Sequence, residues 1–483
     1  MIFTRLPHKI NVSFIRNAST IFSLSSGKGK CGVSVIRVSG PQTMTALKSI
    51  VGPKYNPTPR QADLKSFKSP LNDEKIDKGL VLWFPGPFSF TGEDSCEFQV
   101  HGSIAVISAM LDALGRVPGL RQAKPGEFTK RAFFGGKLDL TEVDGLADLI
   151  HSETEAQRKQ ALLQSSGSLS RLYHNWRKRL IRSIAHLEAF IDFSEDDNIE
   201  DNVIVELNKE LRKVKKEIKC HLDDSRRGEL VRDGIKTVIV GEPNVGKSSF
   251  MNLMCQRNVS IVTDIAGTTR DLIETTFNIS GFPVIFTDTA GLRKESQDVV
   301  EKEGIDRALG RMTTADLILL MVDSRDLRGV EELEDFKKKL LKKLKVEGLE
   351  GTRIQIVANK IDLLEKSELD RMRNLSGVQF VSCKEEINLK GMLDDLTGLF
   401  NDICGEPTAE NPRLSQARYR NELKKCIEFI DIFLEDYNPE GNPDMAIAAQ
   451  KLRQAVKCIE RITGDVSTDE ILDVVFRDFC IGK

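Results

Sequence analysis

The stretch Ile235-Lys-Thr-Val-Ile-Val240-Gly241-Glu-Pro-Asn-Val-Gly246-Lys247-Ser248 decides the fold of the central part of the chain. An apolar, strand-like run leads into a glycine-bounded loop, and a helix-like run, Ser249 to Met254, follows it. A phosphate-binding loop requires this order, because glycine permits the tight turn and lets backbone N–H groups approach phosphate oxygens. In such a loop Lys247 contacts the β- and γ-phosphates and Ser248 offers its hydroxyl to Mg²⁺. The sequence therefore predicts a nucleoside triphosphate site.

Three further motifs follow in the order expected of a guanine-nucleotide site. Asp288-Thr-Ala-Gly291 closes an apolar strand, where a carboxylate can hold the magnesium shell and a glycine N–H can face the γ-phosphate. In Asn359-Lys360-Ile361-Asp362 the last carboxylate can accept both guanine N1–H and N2–H₂, a pair that adenine does not offer. Ser382-Cys383-Lys384 fits the loop whose backbone donates to guanine O6. Each motif alone is an ordinary loop turn, but in order they predict a GTPase that uses magnesium.

Thr263-Asp-Ile-Ala-Gly-Thr268-Thr269-Arg270 lies between the phosphate loop and Asp288, where a switch segment should close over the γ-phosphate. Thr268 or Thr269 is then the second protein ligand of magnesium beside Ser248. The next position after Gly291 is Leu292, where small signalling GTPases place a water-orienting glutamine. An aliphatic side chain cannot orient water, so another group must do so. Arg270 and Arg293 are candidates for arginine fingers, although a surface ion pair is the commoner role.

Lys247 and Thr269 are the catalytic candidates that these motifs supply. The residues predicted to contact GTP are Asn244, Val245, Gly246, Lys247, Ser248, Ser249, Thr263, Asp264, Ile265, Ala266, Gly267, Thr268, Thr269, Asp288, Thr289, Ala290, Gly291, Asn359, Lys360, Asp362, Ser382, Cys383 and Lys384.

The chain has 483 residues, too many for one hydrophobic core, and its pattern changes three times. Short β-type runs with Gly/Pro turns over 21–136 predict an α+β domain. Apolar residues at helical spacing over 137–233 and 405–483 predict helices with one buried face each, and these are Leu169, Leu172, Trp176, Leu180, Ile184 and Leu187 in the first region and Ile447, Leu452, Ala455, Ile459 and Ile462 in the second. Between them, over 234–404, helices alternate with strands predicted at 238–240, 284–287, 317–322, 354–357 and 379–381. Alternation of this kind predicts a parallel sheet covered on both faces. The economical arrangement is an all-α domain interrupted by an inserted α/β P-loop GTPase domain.

Bulk composition excludes some classes of protein. Seventy Lys+Arg against 72 Asp+Glu give a formal charge of -2, which does not indicate a nucleic-acid binder as a whole. Nine scattered cysteines without a C-x-x-C pair favour a reducing compartment. No apolar run approaches the roughly 18 residues of a membrane span. Residues 1–20 are basic and contain Ser, and the first acidic residue is Asp63, which favours a mitochondrial transit peptide over a disordered basic tail.

Together with these motifs, five stretches outside the GTPase region carry a family resemblance. They are Trp83-Phe-Pro-Gly-Pro-Phe-Ser-Phe-Thr-Gly-Glu-Asp94, His101-Gly102, Lys124-Pro-Gly-Glu-Phe128, Lys137-Leu-Asp-Leu140 and Phe479-Cys480-Ile481-Gly482-Lys483. With Leu292 and the inserted α/β domain, the chain resembles the MnmE (TrmE) family over about 21–483. It departs from bacterial relatives in a looser opening at 25–30 and in Cys383, which replaces the usual alanine.

The resemblance implies a tRNA-modifying GTPase that acts with an FAD-dependent partner of the MnmG (GidA) type, FAD being held by that partner. Together they would modify carbon 5 of the wobble uridine of mitochondrial tRNA with a tetrahydrofolate one-carbon unit. It also implies a homodimer, and GTPase domains that pair across a potassium ion held by Asn244, Thr263, Ile265 and Thr268. A bound cation could replace an arginine finger.

The same resemblance assigns three further roles. Glu301 matches a water-positioning glutamate, although a helix-start carboxylate is the alternative. The folate-contacting positions are Arg37, Glu97, Lys137 and Lys483, a set that suits a ligand with carboxylates and a polar pteridine. Cys480 is a candidate reactive thiol, but a thiol needs a lowered pKa to react and nothing in the sequence indicates one.

Two alternatives of other classes stand beside this interpretation. A regulatory GTPase of ribosome assembly would switch RNA affinity and would carry a basic RNA-binding domain, whereas the flanking helices here are balanced in charge. A nucleotide-binding scaffold without turnover would need a defect in Lys247, Ser248 or Asp288, and all three are intact.

Overall fold

The computed structural model describes residues 19–27, 29–193, 202–223, 226–257, 275–288, 315–330, 332–344, 352–372, 375–436, 445–465, 475–476, 479 and 482. The chain divides into two compact units. The first comprises 1–147, 164–215 and 422–483, and the second comprises 148–163 and 216–421. The domain boundaries given above stay predictions. The predicted transit peptide lies outside the described residues except for its last two positions.

The first unit opens with a six-stranded sheet in the order β3-β4-β5-β2-β1-β6. Its pairs are antiparallel except for the parallel pair β1 and β6. Alternate residues of β2, among them Ile36 and Val38, are buried and pack with Phe98 against the adjoining helices. The strands are β1 Thr20–Leu24, β2 Cys31–Ser39, β3 Asp63–Lys68, β4 Lys75–Phe84, β5 Ser95–Gly102 and β6 Leu120–Gln122, and the helices are α1 Thr43–Val51, α2 Ile104–Gly115 and α3 Glu127–Phe134.

The helical region adds α4 Leu140–Ile150, α5 Glu155–Ser165, α6 Ser168–Phe193, α7 Asn202–Leu222, α8 Arg227–Asp233, α13 Ala417–Asp436 and α14 Met445–Thr463. The predicted apolar stripe of α6 is buried at Leu169, Trp176, Leu180, Ile184 and Leu187, while Leu172 is half-buried. On α14 the stripe is buried from Leu452 to Ile462, but Ile447 is 56% exposed. The inclusion of Ile447 in that buried face was therefore wrong.

Interhelical ion pairs join α6, α7, α13 and α14 into a ring within the first unit. Lys215 of α7 pairs with Asp431 of α13, and the other three pairs are Arg179–Glu210 at 2.5 Å, Arg461–Glu422 at 3.3 Å and Arg177–Glu460 at 2.7 Å. Since the apolar stripes of α6 and α14 are buried inside this ring, the four helices form a bundle with charged seams.

The second unit holds a six-stranded sheet in the order β12-β11-β10-β7-β9-β8, parallel except for the hairpin of β8 and β9. Every residue of β10 is buried, and Ile318 and Leu319 belong to cores on opposite faces. The elements are β7 Ile235–Gly241, α9 Lys247–Arg257, β8 Thr275–Ile279, β9 Phe282–Asp288, β10 Leu317–Asp323, α10 Leu333–Lys343, β11 Arg353–Asn359, α11 Lys366–Met372, β12 Val378–Phe380 and α12 Leu389–Cys404. The predicted mixed α/β class with added helices is confirmed, while the detailed domain arrangement stays a prediction.

Two composition-based expectations can be compared with the described residues. Among the described helices, none has the length and apolarity needed to cross a membrane. Seven cysteines whose side chains are described are free thiols. They are Cys31, Cys96, Cys220, Cys383, Cys404, Cys426 and Cys458.

The bundle generates a stability prediction. Leu180→Ala should lower the free energy of unfolding of the bundle by about 2–5 kcal/mol, because Leu180 is 0% exposed and its removal leaves a cavity. Urea unfolding followed by fluorescence in a Trp83→Phe background measures this, since Trp176 in the bundle is then the sole tryptophan. Ile181→Ala is the matched control, because Ile181 is 39% exposed and should cost less than about 1 kcal/mol. Equal costs for the two variants would contradict the described packing.

Candidate functional site: a nucleotide-binding loop at the carboxyl ends of parallel strands

The loop between β7 and α9 has the backbone shape that an anion cradle needs. Gly246 has a φ of +105° and Asn244 a φ of +64°, so two residues of the loop occupy the left-handed region. The Lys247 ammonium donates to the carbonyl oxygens of Gly241 and Glu242, each at 2.8 Å. These bonds hold it at the loop, where phosphate oxygens would accept hydrogen bonds from it. Ser248 is exposed at the first turn of α9.

Asn359 ties this loop to the end of β11. Its Nδ2 donates to the Val245 carbonyl at 2.8 Å, and its Oδ1 accepts from the Cys383 backbone N–H at 2.9 Å. Asn359 is 3% exposed, so both bonds are shielded from water. A Cβ on Gly246 would lie 2.1 Å from the Asn359 Nδ2, which explains why glycine stands there. One carboxamide thus fixes three segments that are far apart in sequence.

Lys360 and Asp362 follow Asn359 with different partners. Lys360 has a φ of +67° and its ammonium donates to Asp323 Oδ2 at 3.0 Å. Asp362 Oδ1 accepts from the Ser382 hydroxyl at 2.5 Å, and Ser382 Oγ in turn accepts from the Glu385 N–H at 3.1 Å. The structure therefore brings the predicted base-selecting carboxylate and the predicted O6 loop together.

Cys383 and Lys384 lie beside this pair. Burial, with a smaller contribution from Asp362, raises the pKa of the Cys383 thiol to about 11, so the thiol stays protonated and inert at neutral pH. The Lys384 side chain is 82% exposed and pairs with Glu385 at 3.3 Å.

Asp323 is a site residue that the motif search missed. It ends β10 directly opposite Asn359 in the parallel register. The Arg325 guanidinium, followed by the Lys360 ammonium, holds the pKa of Asp323 well below its usual range. It therefore anchors Lys360 as a permanent carboxylate. Its signal was available, because Asp323 follows the apolar run Leu317–Val322 just as Asp288 follows its own strand.

The magnesium and switch predictions fall mainly outside the described residues. β9 brings Asp288 opposite Ile239 of β7, one strand from the loop, but its side chain is not described. Outside the described residues lie Thr263, Asp264, Ile265, Ala266, Gly267, Thr268, Thr269, Arg270, Thr289, Ala290, Gly291, Leu292, Arg293 and Glu301, with Cys480 and Lys483 at the carboxyl end.

A second cluster of predicted residues lies on the sheet of the first unit. Arg37 and Glu97 are directly opposite in β2 and β5, and Arg37 Nε donates to Glu97 Oε1 at 3.0 Å. The Arg37 guanidinium carbon also lies 5.2 Å from the Phe90 ring centroid and 5.8 Å from that of Phe128, two partners that sequence reasoning missed. A hydrogen-bonded cation between aromatic rings is suited to a planar polar ligand.

Lys137 and the carboxyl end belong to the same unit. The Lys137 stem passes Gly92, where a Cβ would lie 3.2 Å from its Cε. The neighbours of Gly92 join a polar network, in which Ser39 Oγ lies 2.7 Å from Thr91 Oγ1 and 2.9 Å from Glu93 Oε2. The described carboxyl-terminal residue Gly482 accepts a bond from the Ser25 hydroxyl at 2.9 Å, which brings the chain end to the end of β1.

The phosphate loop carries Lys247 and Ser248 and is joined through Asn359 to the strand end that precedes Asp362. This arrangement defines a P-loop GTPase. A family model described as "GTP-binding protein TrmE N-terminus" matches residues 20–137, and one described as "MnmE helical domain" matches residues 140–480. The chain belongs to the MnmE/TrmE family, as the resemblance in its sequence indicated.

Curated relatives match over almost the whole chain. The "5-taurinomethyluridine-[tRNA] synthase subunit GTPB3, mitochondrial" of Danio rerio is 48% identical over 96% of this chain and 93% of its own length. The Homo sapiens protein of the same name is 45% identical over 97% of this chain and 94% of its own. The "tRNA modification GTPase MnmE" of Parvibaculum lavamentivorans is 43% identical over 96% of this chain and 100% of its own.

The geometry of Asn359 generates a prediction. Asn359→Ala should weaken GDP and GTP binding by about tenfold or more, because it leaves the Val245 carbonyl and the Cys383 N–H without their buried partner. Titration with a fluorescent GDP analogue measures the affinity. Because Asn359 is proposed to shape the loop rather than contact the base, preference for guanine over hypoxanthine should persist.

Asp362→Ala is the matched comparison, and it should instead reduce that preference. Asn401→Ala, at an exposed position of α12, should change neither property. Wild-type affinity in the Asn359 variant, or the same loss of base preference in both site variants, would contradict the separate roles.

Proposed function

We propose that this chain is a mitochondrial GTPase that acts with an FAD-dependent protein of the MnmG type to modify carbon 5 of the wobble uridine of tRNA. The observation that carries the proposal is the match to tRNA-modification GTPases over almost the whole chain, together with an intact phosphate loop. The names of the vertebrate relatives support taurine as the amine and the mitochondrion as the compartment. A tetrahydrofolate derivative would supply the one-carbon unit.

In the nucleotide site, separate residues would bind the phosphates, the magnesium ion and the base. The backbone N–H groups of 244–249 and the Lys247 ammonium would bind phosphate oxygens, and Lys247 would exchange its bonds to loop carbonyls for bonds to phosphate. The Ser248 hydroxyl, with Thr269 and the carboxylate of Asp288, would hold magnesium. Asp362 would accept guanine N1–H and N2–H₂ while Ser382 fixes its orientation.

Hydrolysis needs groups that Leu292 cannot supply. Glu301 is proposed to position the attacking water. Asn244, Thr263, Ile265 and Thr268 are proposed to hold potassium between the GTPase domains of a homodimer. Asn244 is exposed on the phosphate loop, which is the position such a ligand needs. A fixed cation beside the phosphates would stabilise charge that develops in the transition state.

The folate role belongs to the first unit. Arg37 is hydrogen-bonded to Glu97 and lies beside Phe90, which is 38% exposed, so the charged pair and this ring would together contact a planar polar ligand. Lys137 and Lys483 would bind ligand carboxylates, and Gly482 next to Ser25 brings the carboxyl end to this sheet. Glu97 would accept from the pteridine. Cys480 stays a candidate thiol.

The potassium proposal predicts cation-selective turnover. GTP hydrolysis should be stimulated clearly by potassium and not by an equal concentration of sodium, measured as phosphate release with saturating magnesium. Asn244→Gly should abolish the stimulation but keep GDP binding. Glycine is the right replacement, because the φ of +64° at this position would strain alanine. Equal rates in both salts would refute the cation-bridged mechanism.

The wobble-uridine proposal predicts a specific loss. Cells lacking this protein should lose the taurinomethyl group at carbon 5 of wobble uridines in mitochondrial tRNA, detected by mass spectrometry of tRNA nucleosides. The wild-type chain should restore it, and Lys247→Ala should not, because that lysine is needed for triphosphate binding. Lys338→Ala, an exposed lysine of α10, should restore it as the wild type does. Unchanged wobble uridines in the deficient cells would exclude the proposed function.

A further inference from the structure

The outer surfaces of α6 and α7 carry a concentration of positive charge. Over 168–191 and 204–215, where the structure describes the side chains within the first unit, the only exposed acidic residue is Glu206. The two acidic side chains next to this surface, Glu188 and Glu210, are paired with Arg453 and Arg179. The exposed cations of these segments are Arg171, Lys178, Arg182, Lys209, Arg212 and Lys213.

The two helices run side by side in opposite directions. Arg179 of α6 contacts Glu210 of α7, with Nε 2.5 Å from Oε1. If the helices were parallel, the start of α7 would lie about 33 Å back along α6. The nine links from Phe193 to Asn202 reach at most about 32 Å, at roughly 3.6 Å each, so that arrangement is too long for the chain. The pair is therefore antiparallel.

Five of the cations share one side of this pair. Lys178 and Arg182 lie one before and three after Arg179, which rotates both to the same side of α6. Lys209 and Lys213 hold the same positions relative to Glu210, and in an antiparallel pair these two sides coincide. Arg171 lies two turns before Lys178 on the same side of α6. By the same rotation the exposed Glu206, four residues before Glu210, also lies on this side of α7. We call the five cations, Arg171, Lys178, Arg182, Lys209 and Lys213, the basic face.

The basic face has the dimensions of a nucleic-acid contact. Arg171 and Arg182 are about 17 Å apart along α6, and packed helices lie roughly 8–10 Å apart. About 17 Å of a double-stranded nucleic acid carries roughly ten phosphate charges. Within the described chain, no acidic side chain lies within ion-pair distance of the five residues, and Arg171 donates to the Ser166 carbonyl at 2.9 Å. Their charges are therefore available to phosphates.

We propose that the basic face binds the phosphate backbone of a double-stranded arm of RNA. The charge pattern specifies a polyanion, and its identification as RNA rests on the proposed function. An acidic protein is the weaker fit, because protein interfaces depend on aromatic or large apolar anchors. On these segments the large apolar side chains that are exposed are Ile181 and Val205, at 39% and 64%. Recognition of double-stranded RNA mainly through backbone and shape needs no such anchors.

The stretch 194–201 between the two helices holds five Asp or Glu residues. It lies outside the described residues, and the basic face does not include it.

The test measures binding of the full chain to a fluorescently labelled tRNA transcript, followed by anisotropy over a series of KCl concentrations. The face variant is Lys178→Glu, Arg182→Glu and Lys209→Glu together. The control variant is Lys338→Glu, Lys342→Glu and Lys390→Glu, three exposed lysines of the second unit with the same total change in charge. Both variants should keep the wild-type GTPase rate, which reports an intact fold.

The face variant should bind the transcript at least tenfold more weakly, and the slope of log affinity against log salt should fall by about three. The control variant should stay within twofold of the wild type. Wild-type binding by the face variant, or equal weakening in both variants, would overturn the proposal.

Polyglutamate of similar charge is the competing probe. Loss of polyglutamate binding with full retention of tRNA binding would assign the face to an acidic protein and overturn the RNA proposal. The tRNA-binding test of the basic face and the wobble-uridine test of the proposed function can fail independently. If the profile is unchanged, the wobble proposal fails, while the binding data still decide whether the face contacts RNA.

Discussion

The nucleotide site depends on the two hydrogen bonds of the Asn359 carboxamide. They connect the phosphate loop at Val245 with the base loop at Cys383, and they form because Gly246 has no Cβ in the way. Since the strands are parallel and in register, Asn359 emerges opposite Asp323 at the same edge of the sheet as the loop after Gly241. The geometry of the loop is thus set by a residue more than a hundred positions away. A buried amide with both ends satisfied fixes such a distance better than a surface contact can.

The charged side chains that follow Asn359 are each fixed by a different partner. Asp323 accepts a hydrogen bond from the Lys360 ammonium, and Asp362 accepts one from the Ser382 hydroxyl, so neighbouring side chains are fixed by different parts of the sheet. Asp323 keeps a low pKa through Arg325 and Lys360, which means that this anchor stays charged over the whole neutral range. The site is therefore organised before a nucleotide binds, and the free energy of binding need not be spent on ordering this edge.

Sequence reasoning predicted the GTPase region well because each motif joins a local strand end to a distinct chemical task. Strands at β7, β9, β10, β11 and β12 were all anticipated, but β8 was not, since Thr275–Ile279 has little apolar content beyond Phe277 and Ile279. The rings around Arg37 were missed because their role arises from packing between distant segments. Asp323 follows an apolar run that the sequence shows, but its pairing with Lys360 depends on strand register, which the sequence does not show. Ile447 lies five residues before Leu452, so the helix turns it about 140° away from that residue, and Ala448 and Ala449 are the buried residues at the start of α14. A spacing of five residues therefore does not continue a helical face.

Net charge does not describe how charge is distributed over the surface. The total of -2 adds regions of opposite sign, and it hides both the acidic stretch 194–201 and the cations of α6 and α7. Helical spacing gathers charges that are scattered in sequence, as Lys178 and Arg182 show on one helix and Lys209 and Lys213 on the next. The ion pair of Arg179 with Glu210 then aligns the two rows, because it fixes the rotation of both helices at one point. A mainly basic surface therefore arises from a chain of slightly negative net charge through helix geometry and a single interhelical contact. Whole-chain charge describes the solubility of such a protein, whereas its choice of partner depends on how the fold sorts those charges.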